Sequence, residues 1–354
     1  MKIPSEPVGS IPRTETLLDA IQLFNKGAIT RENLEEQYIK AIIETMRMFE
    51  ATGSSVVTDG EQSKPSFATY PIHGASNVAS GGVTIPFQDG HTRQLPLLTS
   101  GPFRYQTYAD SYLETALQYA HVPVKQAVIS ASALSLLYPQ TGIASYTREE
   151  FLQDLINENE KDIRQCLEKG AHKVQVDFTE ARLALKLDPS KNLLKSFIDL
   201  NQQVLDRFSP EERKRLGIHT CPGGDQDSTH SADVDYSLLL PELLQMDFGS
   251  FYIQMASEKD PRMALKVIQQ SLRPGQKIFV GVIDPIHPDV ETPEEVRNRV
   301  LEAARYIPVE QLGTTDDCGF APFSDDTSTT RQTSFDKIRS RIAGTELAAG
   351  ELGI

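Results

Sequence analysis

The stretch Gly217-Ile218-His219-Thr220-Cys221-Pro222-Gly223-Gly224 decides how the rest of the chain is read. A short apolar run, Leu216 and Ile218, leads into a histidine and a cysteine one residue apart. On a strand, period two puts His219 and Cys221 on one face, one pleat apart. Pro222 and two glycines stop the strand, so both groups fall near its C-terminal end. An imidazole beside a thiol suits a soft, tetrahedral metal such as Zn²⁺. Taken alone, the pair reads more simply as a buried cysteine next to a hydrogen-bonded core histidine. Far downstream, however, Gly313-Thr314-Thr315-Asp316-Asp317-Cys318-Gly319 repeats the design: an extended run reaches a cysteine, and a glycine follows at once. Two of the three cysteines then stand at candidate strand ends, which favours zinc.

Working outward, the chain of 354 residues is 39% hydrophobic and 24% charged, and its net charge of −14 comes with scattered Lys and Arg. That balance disfavours nucleic acid and acidic membrane surfaces as partners. No apolar run is long enough to span a bilayer, and Met1-Lys2-Ile3-Pro4 lacks a secretory pattern. Three cysteines make no disulfide framework, so we expect a reducing cytoplasm where thiolates stay free for metal. Tryptophan is absent. No linker or composition break divides residues 1–354, and we expect one catalytic domain across them.

The patterning alternates strands and helices. Strands are expected at Ile3 to Val8, Ser55 to Thr58, Val122 to Ile129, Lys173 to Val176, Leu216 to Cys221, Ser250 to Ile253, Lys277 to Ile283 and Gln311 to Thr315. Helical spacing fills most of the intervals, including Thr30 to Ala51, Thr147 to Glu168, Leu193 to Phe208 and Tyr236 to Met246. Near residues 82–103, Val83, Ile85 and Phe87 alternate with polar residues, Asp89-Gly90 turns, and Thr92 to Leu97 returns. We read a β-hairpin there, an excursion from the main architecture in the position of a lid. Eight βα repeats point to the α/β class and a (β/α)₈ TIM barrel, whose reaction centre lies at the C-terminal ends of its strands. Those ends read Ser10, Asp59 with Glu61, Ser130, Asp177, His219 with Cys221, Gln254, Asp284 and Cys318, all polar. A closed barrel brings the fifth and eighth together over one pocket.

These residues carry a resemblance. The chain resembles the catalytic zinc barrel of cobalamin-independent methionine synthase and its single-barrel relatives, which have the uroporphyrinogen-decarboxylase form of the fold. Val8-Gly9-Ser10-Ile11-Pro12-Arg13 looks like the family's opening loop, Asp59-Gly60-Glu61 like its glycine-glutamate motif, and Val174-Gln175-Val176-Asp177 like its fourth-strand aspartate motif. His219-Thr220-Cys221 and Asp317-Cys318-Gly319 match the zinc ligands. The resemblance implies that His219, Cys221 and Cys318 hold Zn²⁺, and that Ser10, Glu61 and Asp177 surround the amino-acid end of a thiol substrate. It implies transfer of an alkyl group, most simply a methyl group to homocysteine giving methionine, between a small-molecule thiol and an alkyl donor. Addition of another thiol, such as coenzyme M, to an epoxide is the alternative, and a non-catalytic zinc-stabilised barrel is a third reading.

The chain departs from the family in three places. Gln254 stands where the family has a glutamate ligand, so the fourth ligand is Gln254, Glu258 or water. The chain has neither the family's additional barrel nor the tryptophan that meets folate. His287 in Asp284-Pro285-Ile286-His287-Pro288 lies about one position from the histidine that assists methyl transfer, and reads as a general acid or as a loop histidine. Other groups divide similarly. Asp225, Asp227, His230, Asp233 and Asp235 read as a polar pocket rim or a calcium loop lacking its closing glutamate. Arg13, Lys64 and Lys125 read as solvated, or as partners of an anion. Asp325-Asp326 folds over the barrel mouth or forms a plain loop, and Cys166 is a buried structural thiol.

Overall fold

Six parallel strands run in the spatial order Lys125–Ile129, Lys173–Asp177, Leu216–Thr220, Ser250–Ile253, Lys277–Ile283 and Leu312–Asp316, which is also their chain order. The computed structural model describes residues 2–354. Sequential neighbours joined through helices give the βα repeat expected from the pattern. Leu216–Thr220 and Ser250–Ile253 are buried at every position, as strands covered on both faces must be.

The first two expected strands are shorter than their sequences suggest. Ser5 makes a single parallel bridge to Thr314, and Val57 one to Val124. Pro4 and Pro7 flank Ser5, and a residue without an N–H cannot extend a ladder. The two segments meet through the Ile11 N–H to the Gly60 carbonyl at 3.0 Å and the Thr58 hydroxyl to the Gly9 carbonyl at 2.8 Å. The eight segments therefore follow one another around a ring, in the order a (β/α)₈ barrel requires.

Local chemistry sets the helix bounds. Thr30 with Asn33 and Thr147 with Glu150 form capping boxes ahead of Arg31–Ala51 and Arg148–Lys169, and Gly170 at φ +108° ends the second. The helix expected from Tyr236 to Met246 is divided into a 3₁₀ turn, Tyr236–Leu238, and a short helix, Leu240–Leu243. Pro241 explains the break, since it offers no N–H to the preceding turn and crowds the carbonyl four residues back. The closing helix, Arg331–Glu351, has no clear sequence signal because its buried face mixes Ser334, Lys337, Ser340, Arg341 and Thr345 with Phe335, Ile338 and Ala348. The hairpin forms as expected, with Thr84–Pro86 antiparallel to Thr92–Gln94, and a second pairing of Val78–Ala79 with Leu97–Leu98 prolongs it.

Two buried cations hold the ring from within and behind. Lys125, expected at the solvent or facing an anion, is fully buried and donates to the Pro7 carbonyl and to Gln175 Oε1 at 2.7 Å. It also lies 3.9 Å from the centre of the Tyr252 ring, and burial draws its pKa down to about 7. Arg341 of the closing helix pairs with Asp316 and donates to Ser5 Oγ at 3.1 Å, joining the last strand to the first. Arg341→Met leaves Asp316 buried and unpaired, and should cost roughly 3–5 kcal/mol in denaturant unfolding. Adding Asp316→Leu should recover much of that loss; equal stability of Arg341→Met and the unaltered chain would show the pair to be idle.

Candidate metal centre

His219 is the penultimate residue of its strand, its imidazole lines the pocket, and its Nδ1 lies 3.2 Å from the Tyr252 carbonyl. A carbonyl only accepts, so Nδ1 carries the proton and Nε2 keeps its lone pair. Among the described residues Nε2 is buried without a partner, which is costly unless something electrophilic meets it. Cys221 follows one residue beyond the strand, its sulfur taking the Gly223 N–H at 3.4 Å. Its Sγ lies 3.2 Å from that of Cys318, far beyond a disulfide bond length. The ligating atoms of His219, Cys221 and Cys318 fall within 4.8 Å of one another. The Cys221 thiol is pushed well up, chiefly by its hydrogen bond to Cys318, and Cys318 is held well down by the same bond. Two soft sulfurs and one free imidazole nitrogen form a donor set able to hold a metal ion, and fit zinc.

Cys318 is placed by its neighbour. Asp317 accepts the Met255, Ala256 and Ser257 N–H groups and the Ser257 hydroxyl at 2.7–2.9 Å, tying the Cys318 loop to the loop after Ile253. A methyl group on Gly281 would stand 1.9 Å from Asp317 Oδ1, so only glycine permits this approach. Burial, reinforced by Asp284, pushes the Asp317 carboxyl up to about 7 against those four donors.

The fold brings Ser10, Glu61, Asp177, His219 and Cys318 to one narrow pocket, as their strand-end positions suggest. Glu61 sits at φ +56° just after Gly60, in a turn pinned by its N–H to Asp59 Oδ1 at 3.0 Å. Its carboxylate meets Lys64 at 2.9 Å, both side chains buried. Among the described residues no cation is in hydrogen-bond contact with Asp177; Gln175 donates to it at 2.8 Å, and burial pushes its carboxyl up to about 6. The Ser10 hydroxyl accepts the Ala321 N–H at 3.3 Å and keeps its own proton to donate. Arg13, like Lys64, is buried rather than solvated. Its guanidinium donates to the carbonyls of Glu61, Lys64, Ala321 and Phe323 at 2.8–2.9 Å.

The other candidates are engaged differently. Gln254 and Glu258 are both taken by Arg182, whose Nη1 donates to Gln254 Oε1 at 3.1 Å and to Glu258 Oε1 at 2.5 Å. Sequence reading missed Arg182, which lies in the helix Glu180–Leu187 with nothing in its surroundings to mark it. His287 is exposed on its loop and takes the Asp289 N–H on Nδ1; the structure does not bring it to the pocket. Cys166 is buried in its helix, as expected.

The hairpin covers the mouth. Arg93 pairs with Asp225, on the loop after Cys221, at 2.5 and 3.0 Å, and with Asp325, on the loop after Cys318, at 2.9 Å through two nitrogens. Asp225 is thus a rim residue, and the Asp325 run folds over the barrel mouth. Phe87 packs edge-on against His230, which lies against Gly223 so closely that an added methyl group there would meet its ring.

Comparison with known proteins agrees. Residues 208–335, which include all three candidate ligands, match the sequence model described as the catalytic domain of cobalamin-independent synthase. A methionine synthase of Saccharolobus solfataricus is 22% identical over 360 aligned residues, covering 99% of this chain and 96% of that protein. One from Sulfurisphaera tokodaii is 22% identical over 358, covering 99% and 94%. The fold is shared with a B12-independent methionine synthase from a Shewanella species, solved with selenomethionine, at a TM-score of 0.77, 18% identity and 99% coverage of both chains. It is shared also with a putative vitamin-B12 independent methionine synthase from Listeria monocytogenes, at a TM-score of 0.74, 20% identity and 98% coverage of both. Over nearly its full length the chain is thus similar in sequence and in fold to cobalamin-independent methionine synthases.

Proposed function

We propose that this chain is a zinc-dependent thiol methyltransferase that methylates homocysteine to methionine. The observation that carries the reading is the unpartnered Nε2 of His219 facing two cysteine sulfurs, in a pocket that also holds Asp177 and Glu61. Zinc bound there would hold the substrate sulfur as thiolate, the nucleophilic form, at neutral pH. The protein's own residues orient the rest of the molecule. Asp177, the carboxylate without a cation of its own, receives the substrate ammonium, and Ser10 donates its hydroxyl proton to the substrate carboxylate. Glu61 is already neutralised by Lys64 and shapes the pocket beside them. A sulfonate thiol such as coenzyme M needs cations. Among the described residues lining this pocket none is Lys or Arg, which favours the amino acid over the epoxide-opening alternative.

Purified protein should carry about one zinc per chain by elemental analysis. Cys318→Ser and Cys221→Ser should each lose most of it while circular dichroism stays unchanged; full occupancy in both variants would sink the assignment.

Asp177→Asn separates the substrates. Losing a buried charged contact costs about 2–5 kcal/mol, or roughly 30- to several-thousand-fold in affinity. Homocysteine affinity, read by calorimetry on zinc-loaded protein, should fall by that much, while 3-mercaptopropionate should be little changed. If mercaptopropionate already matches homocysteine in the unaltered protein, Asp177 is not reading an ammonium.

A further inference from the structure

Under Asp177 the barrel interior holds a line of buried polar groups that methyl transfer leaves unassigned. Lys125 opens its strand with the side chain wholly inside the ring, donating to the Pro7 carbonyl and, at 2.7 Å, to Gln175 Oε1. An ammonium only donates, so the oxygen end of the Gln175 amide is the end that faces it. The NH₂ end is thereby turned away, and both of its protons find acceptors. Nε2 donates to Asp177 Oδ1 at 2.8 Å and to the Val8 carbonyl at 3.1 Å. Gln175 and Asp177 stand two residues apart on one strand, hence on one face, which lets the first reach the second. Asp177 and Val8 both line the substrate pocket, whereas Lys125 does not.

Charge decides the direction of this line. Reversed, the amide would set its oxygen against a carboxylate and a carbonyl, and its NH₂ group against an ammonium. The surroundings keep the cation in place. Its Nζ stands over the Tyr252 ring, whose hydroxyl donates to Glu6, and Glu6 pairs with Lys173 at 2.7 Å. The negative charge of Glu6 favours the ammonium against the effect of burial. A hydrocarbon at position 125 would fill the same space without desolvating a charge. What the lysine adds is a fixed polarity for the amide beneath the substrate's binding groups.

Building on the homocysteine reading, we infer that Lys125 is a positioning residue: through Gln175 it aims Asp177 at the substrate ammonium, and so sets the preference for an amino-acid thiol without touching the substrate. Without Lys125 the amide oxygen loses its donor, the amide turns to find another, and Asp177 loses its fixed orientation.

Lys125→Met and Gln175→Leu test the connection. Each should weaken homocysteine binding about 10- to 100-fold, the worth of a hydrogen bond to a charged group, read by calorimetry on zinc-loaded protein. Binding of 3-mercaptopropionate, which has no ammonium, should be little changed. Because Lys125 acts through Gln175, the double variant should bind homocysteine no more weakly than Gln175→Leu alone. The side-chain amide protons of Gln175, identified by nuclear magnetic resonance through their loss in Gln175→Leu, should shift and exchange faster in Lys125→Met, with or without zinc and thiol. An unmoved amide signal, additive losses in the double variant, or equal losses of both thiols would overturn the inference and leave Lys125 a bolt between strands. Should Lys125→Met not fold, Gln175→Leu keeps the lysine in place and carries the comparison of the two thiols, and equal losses there overturn the inference too. An amide that responds to Lys125→Met, in a protein that binds both thiols equally before any substitution, would uphold the hold of Lys125 on Asp177 and sink the homocysteine reading.

Discussion

Four backbone carbonyls converge on the guanidinium of Arg13, and the site depends on their doing so. Two belong to the turn that carries Glu61, and two to the loop beyond Cys318. Arg13 itself follows Ser10 by three residues. One planar fork with five donors thus fixes three separate loops at the barrel rim, a task that a lysine, with its single ammonium, performs less specifically. Asp317 is the anionic counterpart across the mouth, gathering three N–H groups and a hydroxyl to join the Cys318 loop to the one after Ile253. The pocket is held by ionic side chains binding backbone, and the barrel beneath supplies only the starting positions.

That division explains what could be read in advance. His219, Cys221 and Cys318 were legible because period two and a closing glycine place them at strand ends, and strand ends of a barrel share one rim. Asp177 and Glu61 followed from the same geometry. The closing helix was not legible, because Ser334, Lys337, Ser340, Arg341 and Thr345 are interleaved with the buried Phe335, Ile338 and Ala348 and break up the apolar stripe. Arg182 was equally hidden. Its capture of Gln254 and Glu258 arises from a helix meeting the loop after Ile253 in space, and no spacing along the chain encodes it. Of the two readings of Arg13, Lys64 and Lys125, as solvated or as partners of an anion, Lys64 takes the second by meeting Glu61, while Arg13 and Lys125 bind carbonyls and an amide that sequence does not show.

Charge placement also distinguishes the two carboxylates of the pocket. Glu61 and Asp177 look equivalent in the sequence, yet one is matched by Lys64 and the other by an uncharged amide. An ionised carboxylate in a buried site is paid for by whatever cation arrives, so Asp177 is the position at which an incoming ammonium has the most to gain.

Arg93 gives the hairpin a property beyond coverage. Its two carboxylate partners lie on the loops that follow the two cysteines, so the hairpin in its closed position holds the loops of both sulfurs at once. Closure and the meeting of the sulfurs are then two faces of one equilibrium, bound by thermodynamic reciprocity. Whatever draws Cys221 and Cys318 together favours the hairpin's contacts with their loops, and whatever strengthens those contacts favours the meeting of the sulfurs by the same factor.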